Sequence, residues 1–176
     1  KYRLDAEKKQ VVVEPFRVTI DAMGAYTFNV SLEGVDVAQL QNATQGGKLQ
    51  PNQMMGMMSQ VKLRSLTLTI KDDGGLEKFW KFQGAEMKKS ADDLRKETLA
   101  KIDAAAASPL AQSKLVSEAL TAAKKFITNP GTLTIWAKPS EPVPLFPVVM
   151  GAMAGGAKPA MLDQIKEKLN LTITAE

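Results

Sequence analysis

Few residues of this chain have the types and spacing that suit catalysis. The clearest candidates are Asp72 and Asp73, which directly follow the apolar run "VKLRSLTLTI" at residues 61–70. Two neighbouring carboxylates can bind a cation or act as acid and base. An acidic pair between a strand and the segment "GGLEKFWKF" more commonly caps a turn before a helix. Only the first interpretation would make the protein a carboxylate-dependent enzyme.

The chain contains no histidine and no cysteine. Histidine is the one side chain that titrates near neutral pH unaided, so any general base would be a carboxylate, lysine or tyrosine with a shifted pKa. A thiolate zinc site is excluded. Sequence motifs of nucleotide-binding loops, serine hydrolases, zinc proteases and calcium loops are also absent. We therefore predict a protein that is not an enzyme and uses no cofactor or metal.

The charge pattern does not indicate a nucleic-acid partner. The net charge of +4 comes from 23 basic and 19 acidic residues. Basic pairs such as Lys88-Lys89 and Lys124-Lys125 alternate with acidic residues, which is typical of a solvated face and not of a phosphate-binding track.

Four methionines within five positions form an unusual cluster. They are Met54, Met55, Met57 and Met58, in the segment "GGKLQPNQMMGMMSQ", which we predict to be a connecting loop. Methionine is flexible and polarizable, so such a cluster can make an adaptable apolar contact. The alternative is a loop folded back on the core. Thioethers also suit Cu(I), but without histidine or cysteine nearby a copper site is disfavoured.

A second apolar stretch runs from Pro142 to Ala157 without a charged residue. Its three prolines and three glycines exclude a membrane-spanning helix, because an irregular backbone cannot face lipid hydrocarbon unsatisfied. In one interpretation it is an extended edge segment followed by a short buried helix or turn that seals the end of a sheet. In the other it forms a groove lined by six apolar side chains: Leu145, Phe146, Val148, Val149, Met150 and Met153.

Hydrophobic periodicity predicts an antiparallel sheet and a group of helices. A β-hairpin region spans 10–35, with its turn at residues 21–24, and a strand spans 60–71, with a bulge predicted at Arg64-Ser65. Residues 75–128 are predicted to form helices; the first ends at Gly84, and Ser90 with Asp93 makes a capping box for the next. A third helix is predicted to begin after Ser108-Pro109.

The last part of the chain is predicted to be a strand, a helix and a strand at 132–175. The segments "LTLTI", "TLTI" and "LTIT" at 66–70, 132–135 and 171–174 share a pattern that suits neighbouring strands of one sheet. We predict a single α+β domain over residues 1–176. An antiparallel sheet of about five or six strands would carry a helical hairpin and a C-terminal helix packed on one face.

The ordered segments "LTLTIKDDGGLEKFWKF", "NPGTLTIWAKPSEPVPL" and "LNLTITA" support a resemblance over residues 61–175. This region resembles uncharacterised exported proteins of Gram-negative bacteria and is remotely similar to AsmA-like envelope proteins. The resemblance implies a periplasmic or otherwise exported protein, with its signal peptide removed, and a role without catalysis. It supplies no catalytic residues.

These observations lead to three expectations of function. The first is a non-catalytic envelope module that contacts lipid or a partner protein through the apolar residues around Leu145–Met153 and Met54–Met58. The second is a structural component of a larger envelope assembly. The third is an enzyme that depends on Asp72 and Asp73. The sequence leaves the oligomeric state open.

Overall fold

The β-branched and aromatic runs in the first third of the chain form the predicted hairpin. The computed structural model describes residues 1–36, 38, 51–153 and 158–176. Strand β2 (Gln10–Ile20) pairs antiparallel with β3 (Gly24–Glu33), and Gly24 has the positive φ expected of a turn residue. A first strand, β1 (Tyr2–Asp5), pairs with the start of β2. It was not predicted, because a run of four residues is too short for its alternation of apolar and charged side chains to stand out.

The remaining strands continue one antiparallel sheet. They are β4 (Lys62–Asp72), β5 (Thr132–Ala137), β6 (Val143–Pro144) and β7 (Leu171–Ala175). Within the described ranges the strand order is β1-β2-β3-β4-β5-β7, and β6 pairs with the start of β4. The three strands with the Leu-Thr pattern are therefore neighbours, as predicted. The predicted bulge is also confirmed, because Ser31 faces Ser65 and Leu32 faces Leu63, which leaves Arg64 as the extra residue.

The described residues include six α-helices, and several of them pack against the sheet or against each other. Their bounds are α1 (Pro51–Gln60), α2 (Gly75–Met87), α3 (Ala91–Ala106), α4 (Lys114–Thr128), α5 (Leu145–Met153) and α6 (Pro159–Leu169). Helices α2, α3 and α4 pack in series, and α4 and α6 contact each other and lie against β7. This α+β arrangement, with an antiparallel sheet and helices against it, confirms the predicted fold class.

Three local predictions were wrong, and the first concerns the methionine segment. Residues 51–60 form helix α1 and not a loop. Methionine and glutamine are good helix formers, and Pro51 suits a first helical position. Glycines before the segment and at Gly56 within it made a loop the simpler interpretation, but packing against α5 favours the helix.

The other two errors concern helix ends. Helix α2 continues through Gly84, and its C-terminal cap is Lys88, which has a left-handed backbone. The segment Ser108-Pro109 starts a short 3-10 turn, whereas α4 begins at Lys114 and is capped by Ser113. The capping of α3 by Ser90 is confirmed, since its hydroxyl accepts a hydrogen bond from the Asp93 N–H at 3.0 Å.

The core lies at one end of the sheet. Val30, Leu63, Ala137 and Leu169 form a buried cluster, and half-buried side chains of α5 and α6 pack against it. Cross-strand partners share a face, so the register assigns one apolar face to the sheet. The opposite face carries a row of aligned threonines: Thr27, Thr69, Thr134 and Thr174. Helices α5 and α6 therefore pack on the apolar face of the sheet and not on the threonine face.

Candidate apolar contact surface

Two apolar segments that are far apart in the sequence lie side by side in the fold. Helix α1 carries the methionine cluster, helix α5 comes from the stretch without charged residues, and the two helices contact each other. We call the surface formed by these two helices the α1–α5 surface. The sequence predicted each segment as an apolar contact but did not predict that they meet.

The start of β4 brings the two helices together. Helix α1 ends next to Val61, which leads into β4, and the Val61 N–H donates to the Met58 carbonyl at 3.3 Å. On the other side, β6 pairs with Lys62 and Leu63 of β4. The Leu145 N–H then donates to the Val61 carbonyl at 3.0 Å. The end of α1 and the beginning of α5 are therefore joined to the same short piece of backbone.

The side chains of this surface divide into a buried part and an exposed part. Leu145 and Val148 pack against the core cluster, as the interpretation of α5 as a seal expects. Phe146 and Met57 are half-buried. The remaining described candidates are solvent-facing methionines, with exposed fractions of 55% for Met55, 48% for Met58 and 46% for Met150. The side chains of Met54, Val149 and Met153 lie outside the described part of the structure.

Basic groups lie beside the α1–α5 surface. An open cleft of about 420 Å³ adjoins the end of α1 at Gln60, and its lining includes Lys8, Lys9, Lys62, Glu7 and Glu33. Glu33 is paired with Arg64, Lys8 with Asp5 and Lys9 with Asp36. The edge of the apolar surface therefore carries basic and acidic groups together.

A second cleft runs along the other side of α5. It has a volume of about 430 Å³ and is lined by Pro142, Val143, Pro144, Pro147 and Val148, with Glu167 and Lys168 from α6. Proline and valine side chains give this cleft an apolar floor, while its rim is polar, with Ser140 and Glu141 beside the two residues of α6. Together with the exposed methionines, the cleft extends the apolar area around α5.

The acidic pair lies elsewhere, at the end of β4. The Asp72 carboxylate accepts the Leu76 N–H at 2.7 Å and the Gly74 N–H at 3.1 Å, so it caps the first turn of α2. Asp73 forms an ion pair with Lys71 at 2.9 Å. Both carboxylates therefore have structural partners, and these contacts are those of the capping interpretation.

A polar pair, formed by a buried serine and a half-buried aspartate, was missed by the sequence analysis. The Ser113 side chain is fully buried, and its hydroxyl donates to Asp163 Oδ1 at 2.7 Å. Asp163 also accepts the Leu115 N–H at 3.3 Å. The hydrogen bond from Ser113, followed by the backbone N–H groups, lowers the pKa of Asp163 below its ordinary value of 3.8. The pair ties α4 to α6. Because Ser113 is fully buried and the lowered pKa makes Asp163 a weak base, the pair does not have the properties of an activated nucleophile.

Among the described residues, no three or more acidic side chains come together in a way that could hold a metal ion. Across the described ranges, every helix is too short or too polar to cross a bilayer.

One family model matches most of the chain. The model, described as "Uncharacterized protein", covers residues 17–176. The chain belongs to this family. The matched range includes α1, β6 and α5, and hence the whole α1–α5 surface. Comparisons with curated proteins and with solved structures gave no match.

Proposed function

We propose that this protein is a non-catalytic binding module that contacts lipid through the α1–α5 surface. One observation carries the proposal: two apolar segments from distant parts of the chain pack together, yet Met55, Met58 and Met150 stay about half exposed. Adaptable methionine side chains are suited to partners without a fixed shape, such as acyl chains. Lys62, which lines the cleft beside the end of α1, can contact an anionic headgroup at the rim of this surface.

The distribution of polar groups supports binding over catalysis. The carboxylates Asp72 and Asp73 are engaged by a helix start and by Lys71. The pair of Ser113 and Asp163 lies between two helices, where it accepts and donates structural hydrogen bonds. Neither pair is among the residues that line the two described clefts beside α1 and α5. The apolar surface is therefore the better candidate for function.

Vesicle flotation tests the proposal directly. The triple substitution Met55→Gln, Met58→Gln and Met150→Gln keeps side-chain length and helix propensity but removes apolar area. Each half-exposed methionine contributes about 1 kcal/mol when it is buried against lipid. We expect the triple variant to bind anionic vesicles at least about tenfold more weakly than the wild type.

The matched control is Met87→Gln, since Met87 is similarly exposed but lies on α2. This variant should bind vesicles like the wild type. Equal binding by the triple variant, or no binding of the wild type to vesicles of any charge, would refute the proposal. If the same three methionines bound a protein and the wild type did not bind vesicles, the partner of this surface would be a protein and not lipid.

We also propose that this binding takes place in the bacterial envelope. The support is the resemblance of residues 61–175 to exported proteins, carried by segments such as "NPGTLTIWAKPSEPVPL". Fractionation of cells that express the natural gene at its own level tests the location. Recovery only with cytoplasmic markers would exclude it.

A further inference from the structure

The apolar face of the sheet is incompletely covered. Helices α4 and α6 lie against β7, and α5 packs on the core near Leu63, but the far ends of β2 and β3 remain open. On these strands Phe16 is 58% exposed, and Val18, Ile20 and Tyr26 are 39 to 41% exposed.

The register places these four side chains on one continuous face. Phe16 pairs with Phe28 and Val18 with Tyr26, and both pairs share the face of the core residue Val30. Two exposed side chains of β1, Tyr2 and Leu4, lie on the same face because they pair with Val13 and Val11. We call this set the β2–β3 face: Tyr2, Leu4, Phe16, Val18, Ile20 and Tyr26.

The size of the β2–β3 face is notable for a single chain. An aromatic side chain carries about 200 Å² of surface, so these six residues expose on the order of 500 Å² of largely apolar area. This is near the upper end of the largest patches that monomers expose, and such patches commonly have a function. Two faces of this size packed together would bury about 1,000 Å², the lower limit for a specific interface.

The charges around the face favour a second copy over an anionic membrane. None of the six residues of the β2–β3 face is charged, and neither are their cross-strand partners on β1, β2 and β3. Two copies can therefore meet through this face without bringing like charges together. Its hairpin end carries no excess of basic charge, since Asp21 lies in the turn and the nearby Asp73 forms an ion pair with Lys71 at 2.9 Å. This edge therefore lacks the cluster of basic residues that binds anionic lipid headgroups.

We propose that the β2–β3 face is the interface of a homodimer, in which two copies pack this face against itself about a two-fold axis. Such an interface is self-complementary, and two apolar sheet faces pack about 10 Å apart. The modest area indicates a dissociation constant in about the micromolar range. This dimer is independent of the α1–α5 surface, which draws on other elements.

Sedimentation velocity over a wide range of protein concentration tests the dimer. The wild type should shift from monomer to dimer as the concentration rises through the micromolar range. Val18→Lys places a charge at the centre of the interface in both copies, so we expect dimerisation to weaken by at least about a hundredfold.

The matched control is Thr19→Lys, because Thr19 is the next residue of β2, is exposed and points to the opposite face. This variant should dimerise like the wild type. If Val18→Lys fails to fold, Val18→Thr keeps the β-branched shape and should still weaken the dimer by about tenfold.

Three results would overturn the inference. The wild type could remain a monomer up to millimolar concentration, or Val18→Lys could dimerise as well as Thr19→Lys. As a third result, Val18→Lys could lose vesicle binding while the wild type stays monomeric. This result would show that the β2–β3 face contacts lipid and not a second copy.

Discussion

At the scale of single residues, the Ser113 and Asp163 pair is the most specific polar feature of the described structure. Ser113 caps α4 through the Val116 N–H and at the same time donates to a carboxylate that is fifty residues away in the chain. A buried hydroxyl of this kind is stabilising only while its partners are present. The pair therefore fixes where α6 lies relative to the start of α4.

The substitution Ser113→Ala should lower the free energy of unfolding by about 1 to 2 kcal/mol, because it removes the cap and the hydrogen bond together. Urea denaturation at neutral pH measures this loss. Ser117→Ala is the control, since Ser117 is exposed on the same helix. Equal stability of the two variants would contradict the assigned role of Ser113.

The pH dependence of the same variant has a defined sign. The pKa of Asp163 is lowered in the folded state, chiefly by the Ser113 hydroxyl. The stabilisation is therefore present above the ordinary value of 3.8 and is lost as the pH falls through the lowered value. The stability difference between the wild type and Ser113→Ala should narrow in acid, and the NMR titration of Asp163 should move up toward 3.8 in the variant.

At the scale of elements, glycines in helices have opposite roles in α1 and α2. A Cβ added at Gly84 would lie 2.6 Å from the Lys89 carbonyl oxygen, because the chain turns back tightly after α2. The Lys89 N–H also donates to the Gly84 carbonyl at 2.9 Å. A Cβ added at Gly56 in α1 would meet no atom within 4 Å. Gly84 therefore allows the backbone at Lys89 to lie close to α2, whereas no neighbouring atom requires a glycine at position 56.

This contrast predicts opposite effects of the same substitution. Gly84→Ala should destabilise the protein by about 1 to 3 kcal/mol, because the backbone must shift to admit the methyl group. Gly56→Ala should stabilise it by about 0.5 to 1 kcal/mol through helix propensity. Thermal or urea unfolding of both variants measures the difference. A stabilising Gly84→Ala would show that the turn after α2 is looser than described.

At the scale of the whole molecule, two apolar surfaces lie along the same face of one sheet. The α1–α5 surface lies beyond the start of β4, whereas Phe16, Val18, Ile20 and Tyr26 of the β2–β3 face lie on the half of the hairpin nearest its turn. Strand β4 pairs with both regions, through β6 at its beginning and β3 along its length. The variants at each surface are therefore controls for the other, since the methionine variant should still dimerise and Val18→Lys should still float with vesicles.

Local patterns of the sequence determined much of the architecture. Alternation predicted the hairpin, the Arg64 bulge and the adjacency of the strands with the Leu-Thr pattern, and Ser90 with Asp93 predicted the start of α3. These features depend on residues that are close in sequence or on repeated local patterns, so the signal is present in the chain itself. The apolar character of residues 145–153 was likewise visible there.

Only the tertiary structure decided which apolar residues stay exposed. The sequence predicted apolar contacts at Met55 and Leu145 alike, but the pairing of β6 with β4 buries Leu145 against the core and leaves Met55 in solvent. The exposure of Phe16 and the partnership of Ser113 with Asp163 were not predicted at all. Burial depends on which distant elements cover a side chain, and that coverage is set by strand register and helix packing across the whole fold.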